Sequence, residues 1–292
     1  MNPNFKALNK FIGHNGPVYS IYIKGDLLYS VSSDYSLIIW DILNQKFKKA
    51  FKLNALAYSI YVDQNNNILL GLNNGNIQVI KKDYSIKTIK TNESIAFFSF
   101  SENQNENEIF IGSSNGKLFI LNSKDYTIKS HINLNCGKIR KQFIRKGLLY
   151  LACQNGFIYK INTSTKEIIN FINQHENGVN SICLESNNEN ILYSGGKDAL
   201  LKAFDISLNQ TIKIIPAHNY AIYDIIQLNE SILVSCSRDK TIKVWDKKTM
   251  TIISRLDFKS EGHIHSVNNI IKYKKDMFFS CSDDGTIILW KC

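Results

Sequence analysis

Four segments of the chain place a His, a Ser and an Asp at similar spacing, and these residue types can carry nucleophilic catalysis. In such a site the Asp orients the His, and the His takes the proton of the Ser hydroxyl. Each His lies 20 to 23 residues before its Asp, and each Ser lies four residues before it. The sets are His14, Ser30 and Asp34; His175, Ser194 and Asp198; His218, Ser235 and Asp239; and His263, Ser280 and Asp284.

A Trp six residues after three of these Asp residues favours a structural role. An indole N–H can donate to the Ser hydroxyl, that hydroxyl to one His nitrogen, and the other His nitrogen to the Asp carboxylate. An active site needs one such constellation, whereas this one recurs along the chain. The Trp residues are Trp40, Trp245 and Trp290, with Phe204 at the same position of the second set. We therefore predict buried tetrads and no catalytic residue.

The sets belong to a repeat of about 40 residues. Its turn residue is Asp34, Asn74, Asn115, Asn155, Asp198, Asp239 and Asp284, at intervals of 40, 41, 40, 43, 41 and 45 residues. The residue six positions later is always apolar: Trp40, Ile80, Leu121, Ile161, Phe204, Trp245 and Trp290. Within a repeat, apolar residues alternate with polar ones and Asn, Ser and Asp interrupt the runs, which is typical of β-strands. The spacing predicts seven repeats.

These features resemble the WD-repeat family, whose repeats carry GH near the start, an Asp in a tight turn and WD at the end. The stretch 217–246 matches most closely, with Ala217-His218, Asp239 and Trp245-Asp246. The resemblance implies an all-β fold, a seven-bladed propeller of four-stranded antiparallel blades, over one domain, residues 1–292. Because the chain ends just after Trp290, we expect residues 7–12 to supply the fourth strand of the last blade and close the ring.

The bulk composition and the remaining reactive residues favour a cytoplasmic protein without cofactor or metal. There is neither an N-terminal apolar signal region nor an apolar run of about 18 residues, so we expect no membrane span. The six cysteines include no C-x-x-C pair. They are expected to be reduced apolar fillers, with disulfides or zinc as alternatives. His263 and His265 could ligate a metal, but His263 already belongs to a tetrad.

The family resemblance implies that a partner protein binds at the rim around the central channel. The matching positions flank the first apolar residue of each inner strand or precede the turn residue. In the third repeat the flanking positions are Ser94 and Ala96. The rim residues selected for binding are Tyr19, Tyr58, Lys138, Arg140, Lys197, Tyr223, Arg238 and Asp283. Tyr and Arg are enriched at interface hot spots, although scattered rim residues can also serve only solvation.

The positive charge of the chain fits a negatively charged partner. The chain has 35 Lys and Arg against 25 Asp and Glu, a net charge of +10, and its densest basic run is 138–146. A protein with acidic or phosphorylated segments fits this charge. RNA fits as well, because Tyr stacks on bases while Lys and Arg contact phosphates. A biased amino-acid composition is the third explanation. We expect a monomeric subunit of a larger complex that serves as a non-catalytic scaffold.

Overall fold

The structure is a computed structural model that describes residues 5–291. These residues form seven four-stranded antiparallel sheets, the seven blades of a β-propeller, which confirms the predicted fold class. Regular structure outside the strands in this range consists of two 3₁₀ turns, Gln104–Glu106 and Phe258–Ser260. Residues 5–291 contain no helix long and apolar enough to cross a membrane.

The chain divides into two compact units. The first unit comprises the chain up to Lys52 and from Ser181 onward. Its strands are β1 (Lys6–Ile12), β2 (Val18–Lys24), β3 (Leu27–Ser32), β4 (Ser36–Asp41), β5 (Lys46–Lys52), β19 (Ile191–Gly196), β20 (Leu200–Asp205), β21 (Gln210–Pro216), β22 (Ile222–Gln227), β23 (Ile232–Ser237), β24 (Ile242–Asp246), β25 (Thr251–Leu256), β26 (Val267–Lys274), β27 (Met277–Ser282) and β28 (Thr286–Lys291).

The second unit comprises Leu53–Asn180. Its strands are β6 (Ala57–Val62), β7 (Ile68–Leu72), β8 (Asn76–Ile80), β9 (Ile86–Lys90), β10 (Phe97–Asn103), β11 (Glu108–Ser113), β12 (Lys117–Asn122), β13 (Ile128–Asn133), β14 (Ile139–Arg145), β15 (Leu148–Cys153), β16 (Phe157–Asn162) and β17 (Ile168–Asn173). Strand β18 (Val179–Leu184) crosses the boundary between the units and begins the sheet β18–β21. The prediction of a single domain over residues 1–292 stays a prediction.

The seven predicted turn residues share one local structure. In each turn a side-chain oxygen of the Asp or Asn accepts the backbone N–H two residues later, which is the hydrogen bond of an Asx turn. The residue that follows is left-handed in every turn: Tyr35, Gly75, Gly116, Gly156, Ala199, Lys240 and Gly285. Asn can therefore replace Asp without loss of the turn, which explains how the repeat persists where the tetrad is absent.

Strand β1 completes the last blade by pairing with β28, as predicted, and it begins one residue earlier than expected. Its register joins Ala7 to Trp290 and Ile12 to Thr286. The ring of Phe11, buried on β1, lies 5.7 Å from the rings of both Phe279 and Trp40. The N-terminal strand therefore contributes a side chain to the core as well as a row of backbone hydrogen bonds.

Three complete tetrads lie in the first unit with nearly identical geometry. His14, His218 and His263 each place Nδ1 3.0 Å from the Asp carboxylate and Nε2 2.7–2.8 Å from the Ser hydroxyl. Each Trp indole N–H donates to the same hydroxyl over 2.8–2.9 Å. In the set that carries Phe204, the side chains of His175 and Ser194 are buried. The hydrogen bonds leave no polar group of the three tetrads unpaired.

A fifth side chain, which carries a second hydroxyl, belongs to each complete tetrad and was missed from the sequence. Ser36, Thr241 and Thr286 each donate to the turn Asp over 2.6 Å and lie 3.0–3.3 Å from the His Nδ1. Burial alone would raise the pKa of Asp239, but the hydrogen bond and charge of His218 bring that pKa well below its ordinary value. Burial lowers the pKa of His218 in turn, which favours the neutral imidazole.

We predict that Asp239→Ala lowers the free energy of unfolding by about 2–6 kcal/mol, because two orphaned groups each cost about 1–3 kcal/mol. The substitution leaves the His218 N–H and the Thr241 hydroxyl buried without their acceptor. Denaturant titration at neutral pH measures the change. Asp26→Ala is the control, because Asp26 is an exposed residue of a hairpin turn. Equal stability of the two variants would contradict a stabilising tetrad.

We predict that Phe11→Ala costs about 3–5 kcal/mol, the usual loss for a buried phenylalanine, whereas Ile12→Ala changes stability by less than about 0.5 kcal/mol. The two residues are neighbours on β1, but Phe11 is 3% exposed and Ile12 is 71% exposed. Thermal and denaturant unfolding of both variants provide the comparison. Similar melting temperatures would show that β1 is not anchored in the core as described.

Candidate partner-binding site

A β-bulge at the start of the innermost strand positions the candidate binding residues. In six blades the first residue of that strand pairs normally and the pairing then skips one residue. A bulge leaves the extra residue out of the ladder and redirects its side chain. The skipped residues are Tyr19, Tyr58, Phe98, Arg140, Tyr223 and Asn268. Four of them were predicted rim residues.

The prediction for the third repeat placed the start of the inner strand two residues too early, so it named Ser94 in place of Phe98, although Ala96 does flank the first strand residue. It took Ile95 as the first strand residue and therefore chose Ser94 and Ala96. In the structure β10 begins at Phe97, which is fully buried, and Phe98 is the bulge residue. Ile95 precedes the strand, and its carbonyl accepts the N–H of Gly75. Both residues are apolar and two positions apart, so alternation alone could not distinguish them.

Three bulge residues and one lysine of the second unit form what we call the basic–aromatic cluster: Tyr58, Phe98, Lys138 and Arg140. The rings of Tyr58 and Phe98 are stacked with centroids 5.4 Å apart. Lys138 Nζ lies 5.6 Å and Arg140 Cζ 5.2 Å from the centroid of Phe98. The negative face of an aromatic ring attracts cations, so Phe98 holds two positive groups beside each other. Arg140 is exposed, and the other three side chains are half-buried.

Hydrogen bonds from buried serines fix the strands that carry this cluster. The hydroxyl of Ser59 donates to the carbonyl of Phe97 over 2.9 Å, and that of Ser99 donates to the carbonyl of Ile139 over 3.2 Å. Each bond joins one inner strand to the residue just before the bulge of the next. Gly112 allows this approach, because a Cβ there would lie 2.5 Å from Ser99 Oγ. The backbone is therefore held on both sides of Phe98 and directly before Arg140.

Lys138 is fixed by its own backbone. Its N–H donates to the Gln154 side-chain oxygen over 3.1 Å, and its carbonyl accepts the Gln154 N–H over 2.9 Å. Gly137 precedes it in the left-handed region with φ +68°. The segment that brings Lys138 to the ring of Phe98 is thus tied to the turn after β15.

The remaining predicted rim residues lie in the first unit and differ in environment. Tyr223 packs partly against a hydrophobic core cluster. Arg238 Cζ lies 5.9 Å from the ring of Tyr220, an exposed side chain that was missed from the sequence. Asp283 accepts a hydrogen bond of 2.7 Å from the Asn268 amide. Tyr19 is half-buried, and Lys197 is exposed at the turn before β20.

The two histidines considered as metal ligands have different environments. His263 uses Nδ1 and Nε2 for Asp284 and Ser280, while His265 is exposed. Within residues 5–291, no group of three or more His, Cys, Asp or Glu side chains is arranged to hold a metal ion. Both nitrogens of His263 thus serve the tetrad.

Comparison with protein-family models gives a match to "WD domain, G-beta repeat" over residues 5–41, 166–205, 209–246 and 254–291. These segments include the four His, Ser and Asp sets and make up more than half of the chain. Residues 42–165 fall outside the matched segments and contain the three repeats whose turn residue is Asn. Their sheets nevertheless have the same four-stranded order.

Comparison with curated proteins gives relatives with repeats of the same kind. A DDB1- and CUL4-associated factor 11 homolog of Caenorhabditis briggsae is 36% identical over 28% of this chain and 16% of its own length. The COMPASS component SWD3 of Saccharomyces cerevisiae is 26% identical over 65% of this chain and 61% of its own length. The chain thus spans less than two thirds of each relative. Together the tetrads, the seven blades and the matched repeats show that the chain belongs to the WD-repeat family.

Proposed function

We propose that this protein is a non-catalytic docking platform whose basic–aromatic cluster binds an acidic, extended segment of a partner protein. The observation that carries the proposal is the placement of Lys138 and Arg140 on one face-stacked aromatic pair. Two cations beside one another raise the local positive potential. Arg and Lys both form charge-assisted hydrogen bonds with carboxylate or phosphate oxygens, which are stronger than neutral ones.

Rigidity of the cluster supports the proposal. Binding costs free energy when mobile side chains must be ordered, and preorganised groups reduce this cost. The Tyr58–Phe98 stack limits where the two cations can lie, and the Ser59 and Ser99 hydrogen bonds hold the backbone beneath them. An acidic chain would therefore meet charges already in position. Interface hot spots commonly have this combination of aromatic and Arg side chains.

The relatives support a role within a protein complex. One is named as a factor associated with DDB1 and CUL4, and another as a component of COMPASS. We extend only the general role to this chain, as a monomeric subunit that holds other proteins. The cytoplasmic location stays a prediction. The cysteines of the described part are free thiols, which fits a reducing compartment.

The absence of catalysis is part of the proposal. Its support is that the His, Ser and Asp side chains with nucleophilic potential bond to one another and to a Trp in three similar copies. The Ser hydroxyl in each copy already contacts both the His and the indole N–H. The structural tetrads account for these His, Ser and Asp side chains without a reactive serine or a substrate pocket.

RNA is the second candidate, favoured by the same aromatic and basic side chains. Stacking of a base requires an aromatic face, but Tyr58 and Phe98 are stacked on each other and cations lie near Phe98. This arrangement fits carboxylates or phosphates reaching the cations better than bases entering between rings. An acidic protein segment is therefore the preferred ligand.

We predict that Lys138→Glu with Arg140→Glu weakens binding of a fluorescent glutamate-rich peptide at least tenfold, about 1.4 kcal/mol. Fluorescence anisotropy measures the affinity. The control is Arg145→Glu with Lys146→Glu, which changes net charge equally at the exposed far end of β14. The affinity of the control variant should fall less than about threefold, because salt screens the interaction between distant charges. An equal loss of affinity in both variants would show that the peptide responds to net charge, and it would contradict binding at the basic–aromatic cluster.

We predict that an oligouridine binds weakly and that its affinity is changed equally by the two double variants. RNA binding through phosphates gives a steep linear fall of log affinity with log salt. Titration at several salt concentrations measures this slope. A steep slope for oligouridine that is lost only in the Lys138 and Arg140 variant would instead favour RNA as the ligand.

A further inference from the structure

Two buried cysteines lie beside the segment that carries Lys138 and Arg140. Cys136 is in the connection between β13 and β14, and Cys153 ends β15. Both side chains are fully buried in one hydrophobic cluster that includes Leu134 and Leu151. They come together because Cys153 pairs with Ile139, three residues after Cys136. The sequence favoured apolar fillers, with disulfides or zinc as alternatives, and it did not single out this pair.

The backbone brings the segments that carry the two cysteines together. The Cys136 carbonyl accepts the N–H of Asn155 over 3.1 Å, and the Cys153 carbonyl accepts the N–H of Gly156 over 3.2 Å. Donation from the Cys153 thiol lowers the pKa of Cys136, while burial raises the pKa of Cys153 well above its ordinary value. Cys136 is therefore the better nucleophile of the pair, because the thiolate is the reactive form.

A polar pair lies beside the thiols. The hydroxyl of Tyr159, which is half-buried, accepts a hydrogen bond of 3.0 Å from the amide of Asn155, which is exposed. Burial raises the pKa of Tyr159, the hydrogen bond from Asn155 lowers it, and the charges of Cys136 and Cys153 raise it. Asn155 is exposed only two residues after Cys153, so the thiol pair lies just beneath the surface that a small oxidant such as hydrogen peroxide reaches.

We propose that Cys136 and Cys153 are an oxidisable dithiol that hydrogen peroxide converts into an intramolecular disulfide. The Cys136 thiolate attacks one peroxide oxygen, which forms a sulfenic acid and releases hydroxide. Cys153 then gives up its proton and attacks the sulfenic sulfur, so that an S–S bond forms and the oxygen leaves as water. In total, two thiols and one peroxide give one disulfide and two waters.

The other described cysteines provide an internal comparison. Cys236 and Cys281 are buried, and Cys183 is half-buried, but all three lie in the first unit. Burial raises the pKa of Cys281 well above its ordinary value. For Cys136, the neighbouring Cys153 thiol instead lowers the pKa. Selective reaction of the Cys136–Cys153 pair is therefore expected.

The disulfide would bear on ligand binding, a consequence that rests on the proposed function. Cys136 is two residues before Lys138, and only Gly137 separates them. Formation of an S–S bond draws Cys136 toward Cys153 and shifts the segment that holds Lys138 against Gln154 and Phe98. Oxidation should therefore weaken binding of the glutamate-rich peptide severalfold, and reduction should restore it.

The test treats the folded full chain with hydrogen peroxide, unfolds it in N-ethylmaleimide and maps peptides by mass spectrometry. We expect a Cys136–Cys153 peptide that is lighter by about 2 Da than the two reduced peptides together and is released by phosphine. Cys183→Ser should leave this linkage unchanged. Cys153→Ser should leave Cys136 as a sulfenic acid that dimedone captures.

Uptake of N-ethylmaleimide by both Cys136 and Cys153 after peroxide treatment, or linkage of either to another cysteine, would overturn the proposal. This test uses the unsubstituted protein, so its result does not depend on the folding of the Ser variants. Peptide binding is measured separately on the reduced protein. If the reduced protein does not bind the peptide, the docking function fails while the disulfide assignment stands.

Discussion

The site depends on one constraint in the innermost strands, where a buried first residue is followed at once by a bulge. The first residue, such as Phe97 or Ile139, must face the core, and the bulge then turns the next side chain out of the ladder. Strict alternation without the extra residue would send Phe98 and Arg140 to a different face. After Ala57 and Phe97, the serine two residues later donates to the next inner strand and sets its position. The same strand thus supplies both the residue that packs in the core and the residue that faces the ligand.

The sequence allowed the fold to be predicted because two periodic signals coincide. The turn residue repeats about every 40 residues, and each turn has the same Asx hydrogen bond whether it carries Asp or Asn. The apolar residue six positions later is buried in every blade, from Trp40 to Trp290. Both signals arise from local geometry, so they remain where the tetrad is lost. The closing strand β1 was predictable from the same repeat. The last repeat has only three strands, and the N-terminal segment matches the fourth strand of the other repeats.

The site was less predictable because its contacts join residues that are distant in the chain. Tyr58, Lys138 and Arg140 were selected by position, but Phe98, which holds them together, was missed through a slip of two residues. Ser59 and Ser99 resemble ordinary strand serines in the sequence, and only the neighbouring strand shows their role. The proximity of Cys136 and Cys153 follows from strand pairing, and no sequence motif indicated it. A recurring bulge position is the signal that would have selected Phe98.

Net charge alone is a poor guide to the binding surface. Outer strands such as β5, whose sequence is KFKKAFK, carry exposed lysines. Charged side chains on edge strands prevent pairing with other chains, so part of the +10 charge serves the fold. The basic–aromatic cluster differs because its cations are ordered by rings. It is this order, more than the number of charges, that makes the cluster the proposed binding site.

Hydrogen exchange with and without the glutamate-rich peptide tests this central claim most directly. We expect slower exchange at residues 57–59, 97–99 and 138–141, where the bulges present the cluster. Protection confined to Lys46–Lys52 or other lysine-rich outer strands would contradict the account, since those strands offer charge without the aromatic support.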